Sequence, residues 1–126
     1  PLPETLAITA ATTHAAWAIA LELGAVAILC CTRSGLTARA MARFRPTCRL
    51  LGLSPSEQTA RQLALSWGVH PVIVDRYSST DEMVWFAVEA AVRDGIATHG
   101  DVVVVVAGAP EDDVPTSDVV RVVRVR

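Results

Sequence analysis

The sequence predicts an α/β fold: a three-layer sandwich in which a five-stranded, mostly parallel sheet carries helices on both faces and ends in an antiparallel strand. Three observations predict it. Short apolar runs without alternation recur along the chain, AVAILCC at 25–31, RLLGL at 49–53 and VVVVVA at 102–107, as strands buried on both faces require. Between them lie stretches of about a dozen residues with helical periodicity, started by capping residues and stopped by glycine or proline, which is the alternation of βαβ units. The last apolar run, VVRVVRV at 119–125, follows a loop of roughly a dozen residues with no helical pattern, which suits an antiparallel return better than another crossover.

Taken in order, THAAWAIALEL at 13–23 is rich in Ala and Leu, and Gly24 follows as a stop. The first strand covers 25–31. LTARAMARF at 36–44 is helical, with Thr37, Met41 and Phe44 on one face and Arg39 and Arg43 on another, and Pro46 ends it. The second strand, 49–53, leads into Ser54-Pro55-Ser56-Glu57, which supplies an N-cap, a proline for the first helical position and an early acid. That helix is expected to run to Trp67, with Gly68 closing it. HPVIV at 70–74 is the third strand, and Ser79-Thr80-Asp81-Glu82 caps a long helix reaching about Ala97. Its apolar residues form two stripes, one of Met83, Ala87, Ala90 and Ala91 and one of Trp85, Val88, Val92 and Ile96. A helix apolar on two sides is sandwiched or touches a partner, and Trp17 on the first helix raises the same question; partner contact is expected for at least one of the two.

At 126 residues, 52% hydrophobic and 19% charged, the chain is expected to fold as a single domain over 1–126. A net charge of −2 without any concentrated basic region argues against a nucleic-acid partner. All eleven basic residues are arginines, so no mechanism within this chain can use a lysine. Cys30, Cys31 and Cys48 are an odd set, and neighbours on a strand point to opposite faces, so reduced, buried thiols in a cytoplasmic protein are expected. No signal peptide is read at 1–18, and no apolar run exceeds seven or eight residues, so no membrane association is expected. The chain opens on Pro-Leu-Pro without methionine, which points to a processed product or a piece of something longer.

One stretch carries chemistry. In an open parallel sheet, ligands settle at the carboxyl ends of the strands, beside helix N-termini, and Thr32-Arg33-Ser34-Gly35-Leu36-Thr37 occupies such a place. The hydroxyls of Thr32, Ser34 and Thr37 can donate to phosphate oxygens, Arg33 adds charge, and Gly35 lets backbone amides approach. The same residues also make an ordinary turn in which Ser34 caps the helix, and spacing alone favours that plainer reading. His14, His70 and His99 do not cluster, so no metal site is expected. Glu111-Asp112-Asp113 is a weak signal for a divalent cation and reads first as a solvated loop.

These residues together resemble the C-terminal domain of pyruvate kinase across essentially the whole chain. The resemblance rests on ELGAVAILCCTRSGLTARAMARFRP, LGLSPSEQTARQLALSWGVHPVIV, SSTDEMVWFAVEAAVRDGIATHGDVVVVVAGAP and the valine-arginine tail. It implies the fold described above and no catalytic residue in this chain. The family's active site lies in a separate barrel that binds phosphoenolpyruvate, ADP, Mg²⁺ and K⁺. The resemblance further implies a tetrameric glycolytic parent, a subunit contact through the first helix and last strand, and a phosphorylated effector held at Thr32, Arg33, Ser34, Gly35 and Thr37. Two departures stand out. Leu36 replaces a basic or polar residue, and the stretch 110–118 is acidic where the family is glycine-rich, so acids would face an anionic ligand. Other readings are a free-standing phosphate- or nucleotide-binding module that has lost the barrel, and a small nucleotide-binding enzyme using Cys31 or Asp81.

Overall fold

The computed structural model describes residues 3–108 and 118–126. The chain runs α1 (Glu4–Leu23), β1 (Ala27–Cys31), α2 (Leu36–Ala42), β2 (Arg49–Ser54), α3 (Glu57–Leu63), β3 (Val69–Ile73), α4 (Thr80–Arg93), β4 (Val102–Ala107) and β5 (Val119–Arg124). The strands form one sheet in the order β3-β2-β1-β4-β5. Ladders β1–β2, β1–β4 and β2–β3 are parallel, and β5 returns antiparallel along β4, pairing Val102 with Arg124 and Ala107 with Val119. The α/β architecture with a mostly parallel sheet and an antiparallel last strand is therefore as the sequence predicts.

Pleating divides the core into two halves, since successive side chains leave a strand on opposite faces. Ala27, Leu29 and Cys31 of β1 and Val103, Val105 and Ala107 of β4 meet Met83, Ala87, Ala90 and Ala91 of α4. Ile28 and Cys30 of β1 and Val104 and Val106 of β4 meet Ala16 and Ala20 of α1, Met41 of α2 and Leu63 of α3. Central strands buried on both faces explain the unbroken apolar runs. Gly52 sits mid-strand in β2 because two helices close on it. A Cβ there would stand 2.7 Å from Leu63 Cδ1, 3.2 Å from Val69 Cγ1 and 3.3 Å from Ala38 Cβ.

Several element ends differ from the sequence reading. Helix α1 begins at Glu4, nine residues before the expected start at Thr13. The signal is weak there because threonine is a poor helix former that competes for backbone partners. Thr13 Oγ1 donates instead to the Thr9 and Ala10 carbonyls at 2.9 and 3.0 Å, which lets the hydroxyl lie buried inside the helix. At 20 residues α1 matches a membrane span by length and composition, as core helices of globular proteins also do; its Thr9, Thr13, Ala16 and Ala20 are buried. Helix α3 is capped by Ser56, whose Oγ accepts from the Thr59 amide at 3.2 Å, and Ser54 remains in β2. It stops at Leu63, short of Trp67, because turns closing on Gln62 and Leu63 carry the chain into β3. Helix α4 is capped by Ser79 as expected and ends at Arg93 rather than Ala97.

The two tryptophan questions have different answers. Trp17 stacks on Phe44 at the end of α2, centroids 5.2 Å apart and planes inclined by 15°, so its partner is internal. Trp85 is 62% exposed. With Val84, Val88, Val92, Arg121 and Val123 it lines a groove of about 710 Å³ between α4 and β5.

Candidate functional site

Because β1–β4 are parallel, the loops that follow β1, β2 and β3 emerge at one edge of the sheet. Residues 32–37 stand at the centre of that edge, directly after β1. The Thr32 amide still donates to Leu53 of β2 at 2.9 Å, so the loop leaves the sheet with its first residue anchored. Thr32 Oγ1 accepts from the Gly35 amide at 2.8 Å, a side-chain turn that bends the chain into α2. Gly35 takes φ 89°, a left-handed backbone that favours glycine. Ser34 Oγ accepts from the Leu36 amide at 3.3 Å.

The five residues singled out from the sequence thus lie together, with unequal exposure. Arg33 and Ser34 face solvent, while Thr32, Gly35 and Thr37 are buried. Thr32 and Ser34 hold the Gly35 and Leu36 amides in this conformation.

Three residues that the sequence reading did not assign to the site support it. Thr59, in the first turn of α3, donates through Oγ1 to the Arg33 carbonyl at 2.6 Å. Twenty-six positions separate the two, and no local pattern announces the bond. Arg39 reaches back one turn and donates through Nη1 to the Ser34 carbonyl at 3.3 Å. Tyr77, on the β3–α4 loop, is half-buried beside the Cys31 thiol and the Arg33 guanidinium. Burial dominates and pushes its pKa up to about 12, with Cys31 raising it further and Arg33 opposing. Its one signal in the sequence is that the β3–α4 loop ends at the same edge as residues 32–37.

The small-enzyme reading names Cys31 and Asp81. Burial holds the Cys31 thiol up at about 12, far from a thiolate at neutral pH. Asp81 is paired with Arg121 at 2.8 Å on the rim of the α4–β5 groove. Among the described residues no three His, Cys, Asp or Glu side chains gather. Glu111, Asp112 and Asp113 lie outside the described residues.

The family model described as "Pyruvate kinase, alpha/beta domain" matches residues 10–123, which takes in β1 to β4, all but the last residue of β5 and all but the first turns of α1. The chain belongs to this family. Pyruvate kinase of Clostridium acetobutylicum is 43% identical to it over 103 residues, 82% of this chain and 22% of that protein. Pyruvate kinase of Staphylococcus aureus strain MRSA252 is 39% identical and that of Staphylococcus epidermidis strain RP62A 38% identical over the same span, here 18% of each relative. The chain therefore spans about a fifth of the length of the curated relatives it matches. In this pyruvate kinase alpha/beta domain the valine-rich β4 lies inside the sheet and the arginine-bearing β5 lies at an edge.

Proposed function

We propose that this chain is the regulatory and subunit-joining domain of a cytoplasmic pyruvate kinase, and that residues 32–37 hold the phosphate of a small phosphorylated effector. One observation carries the effector half. The solvent-facing Arg33 and Ser34 stand at the carboxyl edge of a parallel sheet, beside the start of a helix and braced from behind by Thr59 and Arg39. A guanidinium and a hydroxyl exposed side by side are donors a phosphate takes. Phosphoryl transfer from phosphoenolpyruvate to ADP, with its Mg²⁺ and K⁺, belongs to a catalytic body outside this chain.

The choice of effector follows from charge. A bisphosphate brings close to four negative charges, and Glu111, Asp112 and Asp113 lie in the stretch joining β4 to β5. Each like-charge pair near the surface costs on the order of a kilocalorie per mole, depending on separation. A hexose monophosphate or nucleoside monophosphate meets less opposition and is the preferred ligand. Leu36 adds no charge to offset it.

Self-association is proposed through β5 and α1. β5 pairs on one side only, and β3, at the opposite edge of the sheet, is blunted by Pro71. Helix α1 packs against β4 and β5 and leaves Leu6, Ile8, Leu21 and Leu23 exposed. An isologous, two-fold contact across that edge would close the assembly. Calorimetric titration with glucose 6-phosphate, adenosine monophosphate and fructose 1,6-bisphosphate tests the effector half, with Ser34→Ala and Arg33→Ala alongside. Monophosphate binding abolished by Arg33→Ala is expected; micromolar binding of the bisphosphate would overturn the charge argument. Sedimentation tests the association half, with Val122→Asp as the variant expected to yield monomer.

A further inference from the structure

We infer that the groove between α4 and β5 is a binding site for a singly charged, amphipathic anion with a flat aromatic body. The groove originates in uneven cover of the sheet. Helices α1, α2 and α3 all pack on one face, through Ala16 and Ala20, Ala38 and Met41, and Leu63. Helix α4 packs on the other face, over β1 and β4. Strand β5 is left at the margin of that cover, so Val123 is only partly buried and a groove of about 710 Å³ opens beside it. That volume is of small-molecule size, and such sites are mainly apolar with a few fixed polar groups. Val84, Val88 and Val92 of α4 and Val123 of β5 form apolar walls, and the exposed Trp85 offers an indole on which a flat ring can stack. From Val84 to Val92 the helix advances roughly 12 Å, which leaves room for a fused-ring body.

Charge gives the groove a direction. Helix α4 returns from the end of β3 to the start of β4, so it runs antiparallel to β4, as β5 does. Where α4 and β5 begin, Asp81 and Arg121 neutralise each other at 2.8 Å. Where they end, Arg93, Arg124 and Arg126 gather on the lining. Arg93 is shared with Asp94 at 3.5 Å, and Arg124 donates one N–H to the Gly100 carbonyl at 2.8 Å. A guanidinium has five N–H donors, so both keep others for a ligand. Glu89 stands on the same wall between the two ends, so a single negative head suits the site and a multiply charged one is opposed. The head of the ligand therefore lies by Arg93, Arg124 and Arg126, and its ring lies towards Trp85.

This site is distinct from residues 32–37, none of which lines the groove. It is also distinct from the self-contact proposed above. Side chains alternate along a strand, so Val120 and Val122 of β5 face the side of α1, whereas Arg121, Val123 and Val125 face the groove. Its ligand and the phosphorylated effector can accordingly fail or succeed independently.

Calorimetric titration of the 126-residue chain with 2-naphthoate tests this, with 2-naphthylmethylammonium as the cationic counterpart and proton–nitrogen NMR spectra recorded alongside. Saturable binding of 2-naphthoate at about 1 mM or tighter is expected for so small a ligand. It should shift the Trp85 indole resonance and leave those of Trp17 and Trp67 in place. Trp85→Ala should weaken binding about fivefold or more through the lost ring contact. Arg93→Gln with Arg126→Gln should weaken it about fivefold through the lost charge. All three side chains are exposed, so the unfolding midpoint should not move. Arg33→Ala should leave 2-naphthoate binding unchanged. Equal binding of the cation, or no saturable binding of 2-naphthoate, would overturn the inference. Binding lost in Arg33→Ala and kept in Trp85→Ala would place the ligand at residues 32–37 and overturn it as well. A Trp85 indole already protected from exchange in a ligand-free dimer would assign the groove to a second copy, which also overturns it.

Discussion

Replacing Gly52 by alanine probes how the core positions the loop of residues 32–37. The added methyl would lie 2.7 Å from Leu63 Cδ1, closer than real Cβ contacts come, and 3.2 Å and 3.3 Å from Val69 Cγ1 and Ala38 Cβ. Leu63 is fully buried and cannot swing into solvent, so α3 must move off β2. Overpacking of this kind costs about 1–3 kcal/mol. For a chain of this size that corresponds to a fall in Tm on the order of 5–10 °C. The displacement also loosens the 2.6 Å bond from Thr59 to the Arg33 carbonyl. Amide exchange across residues 33–37 should therefore quicken more than exchange in β4. Leu63→Val, which removes the clashing methyl, is expected to cost about 1 kcal/mol by itself. Combined with Gly52→Ala it should recover at least about 0.5 kcal/mol relative to the sum of the single changes. Urea denaturation of the four proteins gives the cycle. A Gly52→Ala protein within about 0.5 kcal/mol of the parent, or strict additivity with Leu63→Val, would refute the packing argument.

Ser79→Ala removes the side chain that accepts from the Glu82 amide at 3.1 Å, and should lower stability by about 1 kcal/mol in the same urea assay. Burial raises the pKa of Cys30, Cys31 and Tyr77 above their ordinary values. Their neutral forms are favoured by folding, so this contribution is fully present below pH about 9 and is lost as pH climbs towards 12, where the unfolded chain ionises first. Urea midpoints measured from pH 7 to 11 should be level at first and then fall; a rise above pH 9 would contradict the burial. Ellman's reagent should label only Cys48 in the native chain, and all three thiols after denaturation. A coupled assay with phosphoenolpyruvate and ADP is expected to show no turnover for the 126-residue chain, and activity that survives repurification would refute the assignment of catalysis to a separate body.

The repeated change of period between buried runs and helical stretches determined the fold class, the five strands, and the place of Thr32–Thr37 at the end of β1. Those features depend on neighbours within about four positions, where side-chain direction follows from backbone geometry alone. Val102–Ala107 was legible to the residue because an unbroken β-branched run has no other stable home. Helix α1 was only half legible, since the cue that rescues Thr9 and Thr13, hydroxyls turned back onto helix carbonyls beneath a sheet, arises only once the sheet is there. Tertiary structure alone decided which of the two stripes on α4 is buried, that Trp17 meets Phe44, that Thr59 braces Arg33, and that Leu63 requires a glycine at position 52. Each of these joins residues far apart in sequence, and their meeting is set by strand order and by which helix shares a face with which strand. Local propensity carries no information about either, because both follow from closing many loops at once around a common core.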